Sequence, residues 1–182
     1  MQAGVELLGE DGWAALTTRA IAGRCGANPA LVHYYWDGLP GLRAEIARRA
    51  LDGAVDPALD LLTSAGSWPE GLAAVARAGL APTPEQTRTS AELMVAALRD
   101  PAVAAVVQEA LTRARTRVQT WLAGAGANQP EGVAVLLLAT LDGLLLHRLV
   151  DPHLPLEAAS AAAEQLAAAT ATAPRRRAPR RR

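Results

Sequence analysis

The 182-residue chain contains no lysine, no phenylalanine, one cysteine and only six tyrosines and tryptophans. The single Cys25 excludes an internal disulfide and cannot by itself build a cysteine metal cluster; it reads as a small buried helix residue rather than a redox sensor. The missing lysine means that all 18 basic residues are arginine, which points to a GC-rich genome and says little about function. No stretch reaches 18 uncharged apolar residues, because Asp142 interrupts the nearest one, Gly132 to Leu146. Residues 1–16 lack the basic start and continuous apolar core of a signal peptide, so a cytoplasmic, non-membrane protein is expected. No nucleophile–base pair, glycine-rich phosphate loop or carboxylate pair stands out. His147 and His153 have no carboxylate or cysteine at ligand spacing, and Asp142 and His147 project from different sides of a helix. Neither enzyme chemistry, a cofactor nor a metal site is expected.

Charge is unevenly placed. Six arginines lie in the last nine residues, PRRRAPRRR, and the remainder holds 12 basic against 18 acidic residues, a net of −6. A generally basic nucleic-acid binder is therefore excluded; any DNA contact comes from a local surface or with help from the tail. Residues 173–182 are too rich in proline and arginine to fold alone and read as a solvated end.

What is abundant is alanine and leucine in helical spacing, and strand-like alternation is absent. The expected fold is all-α. A short helix over 3–11 stops near Gly12. Thr17 or Thr18 caps a second helix to about Cys25, which Gly26 ends. Asn28 caps a third with Pro29 at its first position, ending near Asp37-Gly38, and Leu39-Pro40 opens a fourth to about Gly53. Further helices are expected over 56–65, 69–81, 84–99, 101–124, 130–150 and 155–172, with Pro57, Pro69, Pro84, Pro101, Pro130 and Pro155 near their starts, where proline is tolerated. The 101–124 segment carries one apolar stripe from Val103 to Leu122. The 130–150 segment is apolar on nearly every side, so it is either a subunit interface or a central core helix, and 155–172 is suited to supply the other half of an interface.

His33, Tyr34, Tyr35 and Trp36 stand in a row in a chain with few rings. On a helix they point all round the axis, so some must face outward. Two short helices joined by a tight glycine-containing turn describe a helix-turn-helix, whose second helix lies in the DNA major groove. Outward rings there meet phosphates and thymine methyls while Val32 and Trp36 pack inward. Helix starts near Thr18, Asn28 and Leu39 aim free N–H groups at phosphates.

These residues also resemble a known family. Gly12-Trp13, Thr17-Thr18-Arg19, Ile21-Ala22, Gly26, Asn28-Pro29-Ala30, His33-Tyr34-Tyr35-Trp36 and Leu42 look like the DNA-binding region of TetR-like repressors, whose pattern runs Gly-aromatic, Thr-Thr-x-x-Ile-Ala, Gly-Val-Ser and a Leu-Tyr-x-His/Tyr-Phe run with a leucine beyond. The match covers residue 5 to about 50. Farther on, LDGLLLHRLVDP resembles the penultimate helix of such repressors, which with the last helix forms a dimeric four-helix bundle. The resemblance implies a three-helix helix-turn-helix domain over 1–48, an effector-binding and dimerisation domain over 49–172 and the arginine-rich tail 173–182. It implies that Thr18 binds phosphate and caps the second helix, and that Arg19 reaches guanine. Pro29, Ala30, Leu31, His33 and Tyr34 would line the recognition surface, and Tyr35 would hold phosphate. Ile21, Ala22, Val32, Trp36 and Leu42 would form the small core. Trp68, Met94 and Trp121 either line an effector cavity or are plain core. Three features depart from the pattern: Leu39 replaces a usual lysine, His33 a usual tyrosine, and the first helix is short. The function implied is a dimeric regulator, a repressor released from a palindromic double-stranded operator by a small apolar effector. The alternative is a helical interaction module in which the rings meet a protein.

Overall fold

The computed structural model describes residues 1–67, 70–71, 83–159, 161–162 and 165. Its described residues form seven α-helices and one 3₁₀ turn, with no strand among them: α1 (Gln2–Asp11), the 3₁₀ turn Trp13–Ala15, α2 (Thr18–Cys25), α3 (Leu31–Trp36), α4 (Leu39–Ser64), α5 (Pro84–Ala97), α6 (Pro101–Gly124) and α7 (Pro130–Val150). Residues 70–71, 156–159, 161–162 and 165 are also helical; the rest of the expected helices 69–81 and 155–172, and the whole tail, lie outside the described residues.

The helix starts after the head follow from their sequences. Thr83 and Gln86 close a reciprocal capping box at α5, with Thr83 Oγ1 accepting the Gln86 N–H at 3.2 Å and Gln86 Oε1 accepting the Thr83 N–H at 2.8 Å. Asp100 accepts the Ala102 N–H at 3.0 Å to open α6. Pro84, Pro101 and Pro130 sit where a missing N–H costs nothing.

The expected break between 53 and 56 is absent. α4 runs unbroken for 26 residues with Pro57 inside it. An interior proline costs about 3 kcal/mol. Leu59 and Leu62 on the following turns are buried against α6 and offset it, each contributing about 1.5–3 kcal/mol. Arg113 and Arg117 of α6 also reach across to Asp52 and Asp60 of α4.

Among the described residues two hydrophobic clusters result. The larger joins Leu8 of α1, Leu16, Ile21 of α2, Val32 of α3 and Ile46 of α4 to Leu93 of α5 and Val103 of α6. The head formed by α1–α3 therefore shares one core with the body. The smaller packs Leu59 and Leu62 against Val118 and Leu122 of α6 and Ala134 of α7. The expected α6 stripe lies inward at Val103, Val106, Val107, Ala110, Ala114, Val118 and Leu122.

α7 is not a central core helix. Ala134 is its one buried residue, and Leu136 and Val150 are 70% and 88% exposed. An apolar helix lies open along the side of a single chain.

Candidate nucleic-acid interface

The helix-turn-helix is built by local chemistry. Thr17, in extended backbone, accepts the Ala20 N–H at 3.1 Å and caps α2. The cap is Thr17 rather than Thr18, which occupies the first helical position. α2 ends at Gly26, whose φ of 64° is left-handed and suits glycine. The Ala27 N–H closes back on the Ala22 carbonyl at 2.9 Å, completing the Schellman turn.

Asn28 does not cap a helix beginning at Pro29. Its Oδ1 accepts the Ala30 N–H at 2.9 Å, and Leu31 and Val32 bond to the carbonyls of Asn28 and Pro29 three residues back. The chain makes an Asx turn and a tight 3₁₀-like turn first, so α3 starts at Leu31.

Within α3, Val32 and Trp36 lie four residues apart and face the core, Val32 at 5% exposure and Trp36 half-buried. Leu31, Tyr34 and Tyr35 occupy an arc of about 100° on the other side. Tyr34 and Tyr35 are 81% and 64% exposed, and their rings meet edge to face at 4.9 Å between centroids. Arg19, Pro29 and Ala30 are also exposed, and Thr18 is half-buried. His33 belongs to α3, but its side chain lies outside the described residues. Arg19, Pro29, Ala30, Leu31, Tyr34 and Tyr35 thus lie on the outer surface of one two-helix unit.

The head arginines divide by what they already hold. Arg24 donates to Glu10 at 2.6 Å and lies 3.6 Å from Glu6, tying α2 to α1. That hydrogen bond pulls the Glu10 carboxyl below its usual range and raises Arg24. Arg43 donates to the Leu16 carbonyl at 2.9 Å with its guanidinium 5.5 Å from the Trp13 ring centre. Arg48 pairs with Glu45 at 2.8 Å. Arg19 and Arg49 have no ion pair or hydrogen bond among the described residues, and Arg19 is exposed.

Cys25 is exposed rather than buried; its thiol donates to the Ile21 carbonyl at 3.2 Å. Nothing in the sequence singles out Arg43 or Glu92, whose Oε2 accepts the Trp13 N–H at 3.2 Å from 79 residues away. Such a contact leaves no local signal.

In the body, Trp121 borders an open cavity of about 560 Å³ lined by Thr112, Arg113, Thr116, Arg117 and Thr120, and its Nε1 donates to the Ala65 carbonyl at 3.1 Å. Met94 is exposed on α5 and does not line it, and Trp68 lies outside the described residues.

The family model for bacterial regulatory proteins of the tetR family matches residues 1–46, and that for the tetracyclin repressor-like C-terminal domain matches residues 68–175. The chain belongs to the TetR family. Solved TetR-like structures agree in fold. A transcriptional regulator from Rhodococcus sp. Rha1 is 25% identical, covering 93% of this chain and 92% of that one, with a TM-score of 0.71. The multidrug binding protein EbrR, complexed with imidazole, is also 25% identical, with 97% and 95% covered and a TM-score of 0.71. A TetR transcription regulator from Haloarcula marismortui ATCC 43049 is 24% identical, with 93% and 94% covered and a TM-score of 0.72. None of the curated proteins compared matches the chain. The protein is a DNA-binding transcriptional regulator of this family. By length and composition α7 is the one described helix apolar enough to cross a membrane, with a mean hydropathy of 1.9. The residues matched to the tetracyclin repressor-like C-terminal domain include it.

Proposed function

We propose that the protein is a homodimeric repressor that binds a palindromic operator and is released by a small apolar effector. The observation that carries the DNA reading is the outward face of α3. Two helical residues anchor it, while Leu31, Tyr34 and Tyr35 stand out, and the exposed Arg19 has no ion pair among the described residues. Arg19 would meet guanine, Thr18 and Tyr35 phosphate, and Pro29, Ala30, Leu31, His33 and Tyr34 the groove surface.

Dimerisation is supported by α7. Two copies laying this helix and 155–172 together would cover its open leucines and valines, whose exposure is costly to a single chain. Two heads would then meet successive major grooves about 34–36 Å apart. We assign 1–48 to the head, 49–172 to the body and 173–182 to the tail, although α4 crosses the boundary. The effector would occupy the body near Trp121, and Trp68 and Met94 remain candidates. It acts by binding more tightly to a spacing of the heads that no longer fits DNA. The EbrR complex supports a body that takes small molecules.

The test is selection of duplexes from a random-sequence pool by the full chain, with its mass measured in solution. An inverted repeat and a dimeric mass are expected. A stable dimer that selects no duplex would favour a helical protein-interaction module instead. Compounds raising the melting temperature, and then releasing the selected duplex, would identify the effector class.

A further inference from the structure

α5 of the body meets the head at several points, one of which is a hydrogen bond from its Glu92 carboxylate. The Trp13 N–H begins the 3₁₀ turn that connects α1 to α2, and Glu92 Oε2 accepts it at 3.2 Å. Gly12, just before Trp13, has a φ of 81°, which an L side chain rarely adopts, while a Cβ there would meet the Glu92 carboxylate atoms only at an ordinary contact distance of 3.5–3.6 Å. The far end of the turn is held too, because Arg43 of α4 donates to the Leu16 carbonyl at 2.9 Å. Leu16 is fully buried, and the next residue, Thr17, caps α2. Beside Glu92, Leu93 belongs to the same core as Leu16, Ile21 and Val32. A shift of α5 therefore cannot leave this turn in place without breaking the Glu92 bond or moving Leu93 out of the shared core.

We propose that Glu92 is a positioning residue for operator readout: its carboxylate fixes the Trp13–Ala15 turn, and through it the placement of Thr17, Thr18 and Arg19, so that movement of α5 in the body reaches the DNA-reading helices. This rests on the DNA-binding reading above. The bond between Glu92 and Trp13 is the link, and Arg43 is the fixed support against which it works.

The test uses full-length Glu92→Ala and Glu92→Gln, with Gly12→Ala as an independent disruption of the same turn. Amide hydrogen exchange is read over residues 12–20 and, as reference, 42–50. Affinity is measured for the duplex that wild type selects from a random pool and for a mixed-sequence duplex. In Glu92→Ala, exchange over 12–20 is expected to rise about tenfold with 42–50 unchanged, as loss of one such hydrogen bond implies. Selected-duplex affinity falls by a similar factor, and mixed-sequence affinity falls less, by the share that Thr18 contributes through phosphate. Glu92→Gln, which keeps an acceptor oxygen, recovers most of both, and Gly12→Ala behaves as Glu92→Ala. Unchanged exchange over 12–20 overturns the proposal. So does an equal rise over 42–50, which would mark general loss of stability, or faster exchange without loss of selected-duplex affinity. If wild type selects no duplex, the regulator reading fails and takes the readout role with it, while the exchange arm still decides separately whether Glu92 pins the turn.

Discussion

Thr17 Oγ1 accepts the Ala20 N–H at 3.1 Å, so the first of two adjacent threonines holds the start of α2 and the second is freed for another partner. The two are separable by mutation. Thr17→Ala is expected to cost about 1 kcal/mol of stability through the lost cap. Thr18→Ala should leave stability nearly unchanged and weaken DNA binding at all sequences alike, as loss of a phosphate contact does. Thermal unfolding and binding to selected and mixed-sequence duplexes check both. A larger loss of stability in Thr18→Ala would reverse the assignment.

Leu136 is exposed on α7 in the single chain. In the proposed dimer it enters an apolar seam, and the two-fold axis doubles any substitution made there. Leu136→Glu should shift the protein from dimer to monomer at micromolar concentration, because each copy loses about 1.5–3 kcal/mol of apolar burial and also buries a carboxylate. Light scattering after size-exclusion chromatography gives the mass. Helicity should persist, since Leu136 is 70% exposed within its own chain and contributes little to its core.

Asp142 interrupts the same helix. It is open to solvent on one side in the single chain, yet the apolar groups around it push its carboxyl above the usual aspartate range. A carboxylate pKa raised by folding means the native state binds the proton more tightly. The associated stability is present below the unfolded value of about 3.9 and is lost as pH rises through the folded value. Asp142→Asn should therefore melt above wild type at pH 7, with the gap closing toward about pH 4. A gap that widens on acidification would show that the aspartate is stabilised as an anion. Protein concentration is held fixed, because dimerisation couples to melting.

How much of this was legible in the sequence depends on the range of the deciding interaction. α6 and α7 span the expected 101–124 and 130–150, with Pro101 and Pro130 at their starts, because such a signal acts within a few residues. Asn28 and Pro29 show the limit of local rules: the same pair suits a helix cap and an Asx turn, and the 3₁₀-like bonds of Leu31 and Val32 settle it. Tandem threonines fit one cap in two registers. Pro57 was read as a boundary because its local cost is real, while the burial of Leu59 and Leu62 that overrides it depends on α6, more than 50 residues away. The outward face of α3 was readable from the four-residue spacing of Val32 and Trp36. Cys25 was misread because a small apolar residue type is a poor guide to burial at the end of a short helix. Glu92 was invisible for the same reason of distance.

Arg19 and Tyr35 should fail in different ways on DNA. Arg19 is exposed and unpaired among the described residues, in the first turn of α2. If it reads a guanine, Arg19→Ala costs about 1–3 kcal/mol on the selected duplex, relaxes preference at one base pair in each half-site, and costs much less on mixed sequence. Tyr35 stands on the edge of the exposed arc, with its ring also 5.6 Å from that of Trp36. As a phosphate donor it carries no sequence information, so Tyr35→Phe, which keeps the ring and its packing, should weaken selected and mixed duplexes equally and leave the selected sequence unchanged. Because the hydroxyl is neutral, the slope of affinity against salt should stay as in wild type for Tyr35→Phe and fall only if the lost contact was a cation on a phosphate. An Arg19→Ala variant that loses salt dependence but keeps its base preference would move that arginine from the groove floor to the backbone.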